Sequence, residues 1–155
     1  MSNKEIKEYD NNKNLIHFKD SDDYECWKEY DKNNNLIHSK DSDNYEAWCE
    51  YDERNNEIHF KDSDNFEIWR EFNENNNLIH YKCFNDFEAL QEYDENNSLI
   101  HYKDSDGREK WFKYDENNMQ IEITEQEFKQ IERRKEKQEL YLNNKKYNRF
   151  EIMDI

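Results

Sequence analysis

The sequence contains no proline and a single glycine, Gly107, so it has neither a proline-rich nor a glycine-rich linker. A glycine-rich phosphate-binding loop is excluded for the same reason. We therefore expect the repeated part of the chain, described below, to form one domain.

Apolar residues are scarce as well. They make up 33% of the 155 residues, while 40% are charged, so a deep globular core cannot be filled. No run approaches the roughly 20 apolar residues of a membrane-spanning helix, and no secretory signal segment is recognisable. We predict a thin, extended sheet and no membrane partner.

Cysteine is limited to Cys26, Cys49 and Cys83, an odd number without metal-ligand spacing. A reduced, cytoplasmic setting fits this usage best. None of the three has a consistently spaced base, and a repeated residue does not make one converging active site. We expect no enzymatic activity, no catalytic residue, no metal ligand and no cofactor.

Basic residues are too few to balance the acidic ones: 23 stand against 39, for a net charge of −16. Residues 125–155 hold seven acidic and eight basic side chains, so the acidic excess lies entirely before them. Such a surface repels phosphate backbones and attracts basic proteins. Direct binding of nucleic acid is therefore not expected.

What the chain does have is a phrase of 21 residues that recurs six times without an insertion or deletion. Each unit of such an array is one supersecondary element stacked on its neighbours. Because the aromatic residues keep a fixed register, we do not expect the disorder that high charge and low hydropathy would otherwise suggest. Three columns show the period: Ile6, Trp27, Trp48, Trp69, Leu90 and Trp111; Tyr9, Tyr30, Tyr51, Phe72, Tyr93 and Tyr114; His17, His38, His59, His80 and His101.

Each repeat contains two runs in which side-chain type alternates with a period of two, which predicts β-strands. In the second unit these are residues 25–30 and 36–40, and short connectors rich in Asn, Asp and Ser follow each run. Connectors of this length and chemistry are typical of hairpin turns. We predict an all-β repeat: a twisted antiparallel meander of about twelve strands over residues 1–124.

The register of the hairpin predicts which columns share a face. If Tyr30 closes the turn opposite Leu36, Lys28 and His38 share their face. Trp27 then shares the other face with Ile37 and Ser39. Equivalent residues on every second strand would be roughly 10 Å apart.

Residues 125–155 differ from the repeats. Thr124 and Glu127 have the spacing of a capping box, and the residues that follow are strong helix formers. We predict a helix from Glu125 to about Leu142, packed on the last repeat, with residues 147–155 as an extended tail.

The pattern Tyr-Asp-x-x-x-x-Leu, followed about ten residues later by an Asp-rich turn, resembles the YD repeats of bacterial Rhs-type proteins over roughly residues 5–124. The resemblance implies the same hairpins. Large members of that family form long sheets that spiral into a shell around a toxin, and six repeats are too few to enclose one. Those proteins usually have glycine where this chain has Lys13, Asn34, Asn55, Asn76, Asn97 and Asn118, and Asn is the next residue to tolerate a left-handed turn position.

Two columns invite metal chemistry. The histidines are too far apart to share an ion at ~2.1 Å, so we expect a surface ladder, with pH sensing as the alternative. The turns of the type Asp41-Ser42-Asp43 are expected to close hairpins. Calcium binding is the alternative there, although the full calcium-loop pattern is absent.

The fourth repeat departs from the rest. It reads Lys82-Cys83-Phe84-Asn85 where others read Lys-Asp-Ser-Asp, and Leu90 replaces tryptophan. This is either neutral variation in a tolerant turn or an apolar hot spot formed by Phe84, Phe87 and Leu90.

Together these features predict a non-enzymatic acidic inhibitor that binds and occludes a basic, nucleic-acid-handling enzyme or toxin. Anti-CRISPR proteins, immunity proteins and antitoxins fit that description. The alternatives are a structural or surface YD-repeat fragment without a dedicated target, and a calcium-binding repeat module. The predicted partner-binding residues are Glu29, Glu50, Glu71, Glu92, Asp41, Asp43, Asp62 and Asp64 for charge, and Trp48, Trp69, Phe84 and Phe87 as anchors.

Overall fold

The structure is a computed structural model that describes residues 5–151, with the side chains of residues 5–142. The strands follow one another in chain order in an antiparallel sheet, which confirms the predicted all-β meander. The elements of the described residues are β1 (Ile6–Tyr9), β2 (Leu15–Lys19), β3 (Glu25–Tyr30), β4 (Leu36–Asp41), β5 (Glu46–Tyr51), β6 (Glu57–Asp62), β7 (Glu67–Phe72), β8 (Leu78–Cys83), β9 (Glu88–Tyr93), β10 (Leu99–Asp104), β11 (Glu109–Tyr114), β12 (Gln120–Ile123) and α1 (Glu125–Glu151).

The chain forms two compact units. One comprises Met1–Gln91 with Asp104–Gly107, and the other comprises Glu92–Lys103 with Arg108–Ile155. The first unit holds strands β1 to β8 entire. The domain boundary expected at residue 124 stays a prediction.

Both kinds of turn contain one residue in the left-handed region. The predicted positions are confirmed: Lys13, Asn34, Asn55, Asn76, Asn97 and Asn118 have φ between 60° and 69°. The Asp-Ser-Asp turns and the equivalent turn of the fourth repeat place Asp23, Asn44, Asn65, Asp86 and Gly107 there, with φ between 61° and 83°. Asn and Asp adopt this conformation more readily than other side chains, so they stand in for glycine.

The first residue of each Asn-rich turn, which is Asp in every repeat but the fourth, holds the turn together. Asp31 accepts hydrogen bonds from the backbone N–H groups of Asn33 and Asn35, at 2.8 and 2.9 Å, and from the Asn35 amide at 3.0 Å. The Asn35 amide also donates to Asn55 of the next repeat, at 2.9 Å. The side chains that shape one turn therefore also fix its distance from the next.

A β-bulge interrupts the register of the hairpins. Tyr30 lies opposite Leu36 as predicted, but Glu29 pairs with His38, so Ile37 is an extra residue. Equivalent shifts occur in the hairpins β1–β2, β5–β6 and β7–β8. The extra residue moves His38 onto the face of Trp27 and Glu29.

The predicted grouping of histidine with tyrosine is therefore wrong, because it assumed unbroken alternation. Ser39 changes face as well: it pairs with Lys28, away from Trp27. We call the side that carries Trp27, Glu29 and His38 the tryptophan face, and the other side the core face.

The core face holds the most buried apolar side chains of the described residues, which are Ala47, Ile68, Cys83 and Ala89 at 5–8% exposure. Rings pack beside them, including Phe60 against Phe66 and Tyr81 against Phe87. The Tyr51 hydroxyl donates to the Leu36 carbonyl at 3.1 Å, and equivalent bonds link Tyr30 to Leu15 and Tyr114 to Leu99. Burial is the main reason that the pKa of Tyr51 rises to about 12, assisted by Cys49 and Glu57.

Helix α1 begins at the predicted capping box: the Glu127 carboxylate accepts from the Thr124 N–H at 2.9 Å, and the Thr124 hydroxyl accepts from the Glu127 N–H at 3.2 Å. The helix continues to Glu151 because no proline or glycine stops it, so the extended tail predicted for residues 147–151 is wrong. The rest of that tail lies outside the described residues. α1 is too polar to cross a bilayer, and no other helix is described.

Candidate functional site

The five histidines of the repeat all lie between two glutamates on the tryptophan face. One glutamate belongs to the preceding strand and is called the outer glutamate; the other belongs to the following strand and is called the inner glutamate. We call each set a rung. In the order outer glutamate, histidine, inner glutamate, the rungs are Glu8–His17–Glu25, Glu29–His38–Glu46, Glu50–His59–Glu67, Glu71–His80–Glu88 and Glu92–His101–Glu109.

The two contacts of each imidazole differ in length. The Nε2 atom lies 2.6–3.1 Å from the inner glutamate, whereas Nδ1 lies 3.3–3.5 Å from the outer one. Ionised carboxylates only accept hydrogen bonds, and a neutral imidazole donates only one. In the neutral form of the ring, the shorter contact therefore receives the N–H, and the Nδ1 lone pair faces the outer carboxylate.

Four rungs include a tryptophan that stacks on the histidine. The ring centroids of His17–Trp27, His38–Trp48 and His59–Trp69 are 5.1–5.5 Å apart, with interplanar angles of 10–18°. These three indoles remain 40–43% exposed. The fourth rung has Leu90 opposite His80 instead.

The last indole, Trp111, stacks on His101 at 3.7 Å and is half-buried, because Phe128 of α1 lies 4.7 Å from it. An aromatic side chain of this protein itself thus shows how the tryptophan face can be covered.

The inner and outer glutamates have different surroundings. Outer side chains are 60–69% exposed and inner ones 24–48%. Lysine ammonium groups lie near three inner carboxylates, with Lys19 3.6 Å from Glu25, Lys40 3.9 Å from Glu46 and Lys103 3.7 Å from Glu109. The outer carboxylates are thus the more accessible negative charges.

The pKa of His80 is raised above its ordinary value. Burial of the ring acts against protonation, but hydrogen bonds to Glu88 and Glu71 and the charge of both carboxylates outweigh it. A raised folded-state pKa means that this group contributes stability fully below its ordinary pKa. That contribution is lost as the pH rises through the raised value.

Six of the residues predicted from sequence to bind a partner lie on this face. Glu29, Glu50 and Glu71 are outer glutamates of the first compact unit. Trp48 lies on the same strand as Glu50, and Trp69 lies on the same strand as Glu71. Glu92 is the outer glutamate of the fifth rung, within the second unit.

The predicted aspartates have two different settings. Asp62 is 8% exposed and accepts from the N–H groups of Asp64 and Phe66, at 3.0 Å each, and from the Tyr45 hydroxyl at 3.3 Å. Asp41 is engaged in the same way in its own turn. Only Asp43 and Asp64 are exposed, so they are the members of the set that a partner could reach.

The three residues of the apolar hot spot predicted in the fourth repeat do not lie together in the structure. Phe84 is 55% exposed and packs on Phe66, 5.0 Å away, and Phe87 packs on Tyr81. Leu90 lies opposite His80 on the tryptophan face, whereas Tyr81 pairs with Ala89 on the core face. Leu90 therefore does not join Phe87, and the three-residue hot spot is wrong in that respect.

The fourth repeat, which has Phe84 in place of serine, also lacks a pair of hydrogen bonds between strands. In other repeats the serine at this position links the strands: the Glu25 N–H donates to the Ser42 hydroxyl at 3.0 Å, and the Ser42 N–H donates to the Glu25 carbonyl at 2.8 Å. Between Phe84 and Glu67, both within the described residues, neither bond is formed.

The inner glutamates were not among the predicted binding residues, although the sequence carries their signal. A glutamate follows each histidine by eight positions and another precedes it by nine, in all five units. Only the bulge brings both to the same ring. Over residues 5–142, no group of three or more His, Cys, Asp or Glu side chains is arranged to hold a metal ion.

No family model and no curated protein matches the chain. Its fold is similar to parts of much longer chains in the crystal structure of TcdB2-TccC3-Cdc42 and in the Photorhabdus luminescens Tc holotoxin pore. Both have a TM-score of 0.61 and 15% identity over 76% of this chain, which spans 7% and 6% of those chains. The crystal structure of TcdB2-TccC3-TEV is similar with a TM-score of 0.52, at 18% identity over 63% of this chain and 5% of that one. The expected YD-repeat resemblance is confirmed at the level of the fold.

Proposed function

We propose that this chain is a non-enzymatic protein-binding module that occludes the basic, nucleic-acid-handling surface of a partner protein. The observation that carries the proposal is the tryptophan face, where exposed indoles and exposed outer glutamates repeat in register on the same strands. It is a surface for a protein with several cationic side chains rather than for a single small molecule.

The chemistry of this face suits arginine and lysine. A carboxylate pairs with the cation, and a neighbouring tryptophan ring attracts it through its π-electrons. The net charge of −16 would steer a basic protein toward the chain and repel the nucleic acid that competes for the same surface. Anti-CRISPR proteins, immunity proteins and antitoxins fit this description, and a cytoplasmic location would suit all three.

The test is capture from the source cell at low and high salt, with wild type and the W48A/W69A variant as baits. We expect a basic nucleic-acid-binding protein to be retained by wild type at low salt, and retained less by the variant and at high salt. The purified partner should then lose its nucleic acid when the chain is added. Recovery only of proteins without a basic nucleic-acid-binding surface would refute the proposal.

A second candidate is a structural segment of a larger YD-repeat assembly without a dedicated target. The observation in its favour is the similarity to Tc toxin chains, of which this chain spans 5–7%. This candidate predicts that W48A/W69A and wild type retain the same proteins, and that no nucleic-acid-binding activity is inhibited.

A further inference from the structure

The outer glutamates have an incomplete set of partners. In the described part of the chain, the ion pairs of Glu29, Glu50 and Glu71 are made with histidine alone, through the Nδ1 atom 3.3 Å away. While the imidazole is neutral, that atom presents a lone pair and no proton. The carboxylate then has no cationic partner within the rung.

Protonation of the histidine changes this contact. The imidazolium donates from both nitrogens, so Nδ1–H bonds the outer carboxylate while Nε2–H keeps its bond to the inner one. At His80 burial opposes protonation, but hydrogen bonds to both carboxylates and their charge outweigh it, so the pKa is raised above its ordinary value. One proton thus satisfies the carboxylate that a partner's cation would otherwise pair with.

We propose that each rung binds one arginine or lysine side chain of the partner at its outer glutamate, and that protonation of the histidine competes for the same carboxylate. This inference rests on the proposed function and adds the ligand class and its regulation. Binding of the partner then releases protons, and acidification releases the partner.

The groups that face each histidine support this competition. His38 faces Glu29 of β3 and Glu46 of β5, and Lys40 of its own strand approaches Glu46 only. His59 and His80 face their two glutamates in the same way, while Lys19 and Lys103 approach the inner glutamates of the rungs of His17 and His101. At His101, Glu125 of α1 adds a further negative charge. None of these lysines pairs with an outer glutamate in the part of the chain that the structure describes.

The spacing of the rungs suggests how the cations are arranged. Within the first unit, successive rungs are two strands apart, roughly 10 Å. An extended peptide covers that distance in about three residues. A partner segment with an arginine or lysine at every third position matches it, and a run of arginines contains that spacing.

The test is calorimetric titration of an unlabelled hexa-arginine peptide into the protein between pH 8 and pH 5.5. We expect affinity to fall on acidification, by up to about tenfold per pH unit for each occupied rung. Repeating the titration near pH 6.5 in two buffers with different ionisation heats should show protons released on binding.

Matched variants separate the two parts of the proposal. In E29Q/E50Q/E71Q, binding at pH 8 should weaken and most of its pH dependence should be lost, because only the rungs of His17 and His101 keep their outer glutamates. The variant E53Q/E74Q/E95Q removes the same charge from exposed positions of the Asn-rich turns and should keep that dependence. In H38Q/H59Q/H80Q the peptide should bind at pH 5.5 nearly as it does at pH 8.

Each failure has its own meaning. If hexa-arginine does not bind at pH 8, or binds equally to both glutamine triples, the assignment of cationic side chains to the outer glutamates is overturned. The proposed function falls only if the capture experiment also recovers no basic nucleic-acid-binding protein. If it binds at the tryptophan face, but no proton is released and H38Q/H59Q/H80Q retains the wild-type pH dependence, only the competition is overturned.

Discussion

At the scale of single residues, one departure from the repeat sequence is compensated by a second departure on the neighbouring strand. Glu57 stands where neighbouring repeats have Leu36 and Leu78, and it lies on strand β6 among half-buried side chains. Arg70 of β7 forms an ion pair with it. The carboxylate is tolerated there because the guanidinium satisfies it, and Arg70 occupies a position that is Lys28 or Cys49 in other units.

Removing one partner of this pair should cost more than removing both. We expect R70Q to lower the free energy of unfolding by about 1–3 kcal/mol, because it leaves a half-buried carboxylate without its cation. E57L/R70Q, which restores the leucine of the other repeats, should recover most of that loss. Urea unfolding of wild type, R70Q, E57L and E57L/R70Q would measure the coupling energy between the two side chains. Additive effects would mean that the pair does not act as a unit.

At the scale of one element, the hairpin shows how far sequence reasoning reaches. The turns were predictable because Asn, Asp and Ser bond the nearby backbone, and Asn34 adopts the left-handed conformation expected of it. The strands were predictable from their alternation. The β-bulge at Ile37 was not predictable, because a strand with an extra residue shows the same residue types and the same 21-residue period in the sequence as a strand without one.

That one residue decided the candidate site. Without the bulge, His38 would lie with Lys28 on the core face, and the rungs would not exist. The outer glutamates and tryptophans were predicted from sequence by their charge and size, whereas their relation to the histidines depended on register.

The Asp-centred turns also predict how the protein responds to acid. The pKa of Asp31 is lowered chiefly by the backbone N–H of Asn35, which outweighs burial; the pKa of Asp52 is lowered chiefly by the Asn56 side chain. A lowered pKa means that these groups contribute stability above the ordinary value of about 3.9, and that it is lost as the pH falls through the folded-state pKa.

We therefore expect D31N/D52N to lose less thermal stability than wild type between pH 5 and pH 2.5. It should still fold at pH 7, because Asn73 already holds its own turn through bonds to the N–H groups of Asn75 and Asn77, at 3.0 Å each. The pair E53Q/E74Q, which removes two charges from the same kind of turn, should follow wild type. Equal acid sensitivity of all three proteins would contradict this role of the aspartates.

At the scale of the whole molecule, each repeat depends on its neighbours through contacts that recur every 21 residues. The Asn35 amide reaches Asn55, and the Tyr51 hydroxyl reaches Leu36. Stability in such an array is a sum over units and the interfaces between them. The length of the unit therefore matters more than the number of units.

This predicts a sharp difference between two deletions. Removing residues 36–56 takes out one complete unit, and Asn35 can then meet Asn76 in place of Asn55. That protein should fold, with a urea m-value lower by roughly one sixth. Removing residues 36–55 leaves one residue too many in the turn between β3 and β6, so that turn or the pairing of these two strands is disrupted. That protein should be less stable than the one that lacks residues 36–56. Circular dichroism and urea titration of both would decide the matter, and equal behaviour would refute the register-based account.

The stacking of His17, His38 and His59 on their tryptophans has an optical consequence. A protonated imidazole quenches the emission of an indole in contact with it, whereas a neutral one does so far less. The intrinsic fluorescence of this protein, summed over its tryptophans, should thus depend on whether the stacked imidazoles carry a proton. In the fourth rung, Leu90 replaces the indole, so protonation of that histidine should not change the fluorescence through a stacked tryptophan.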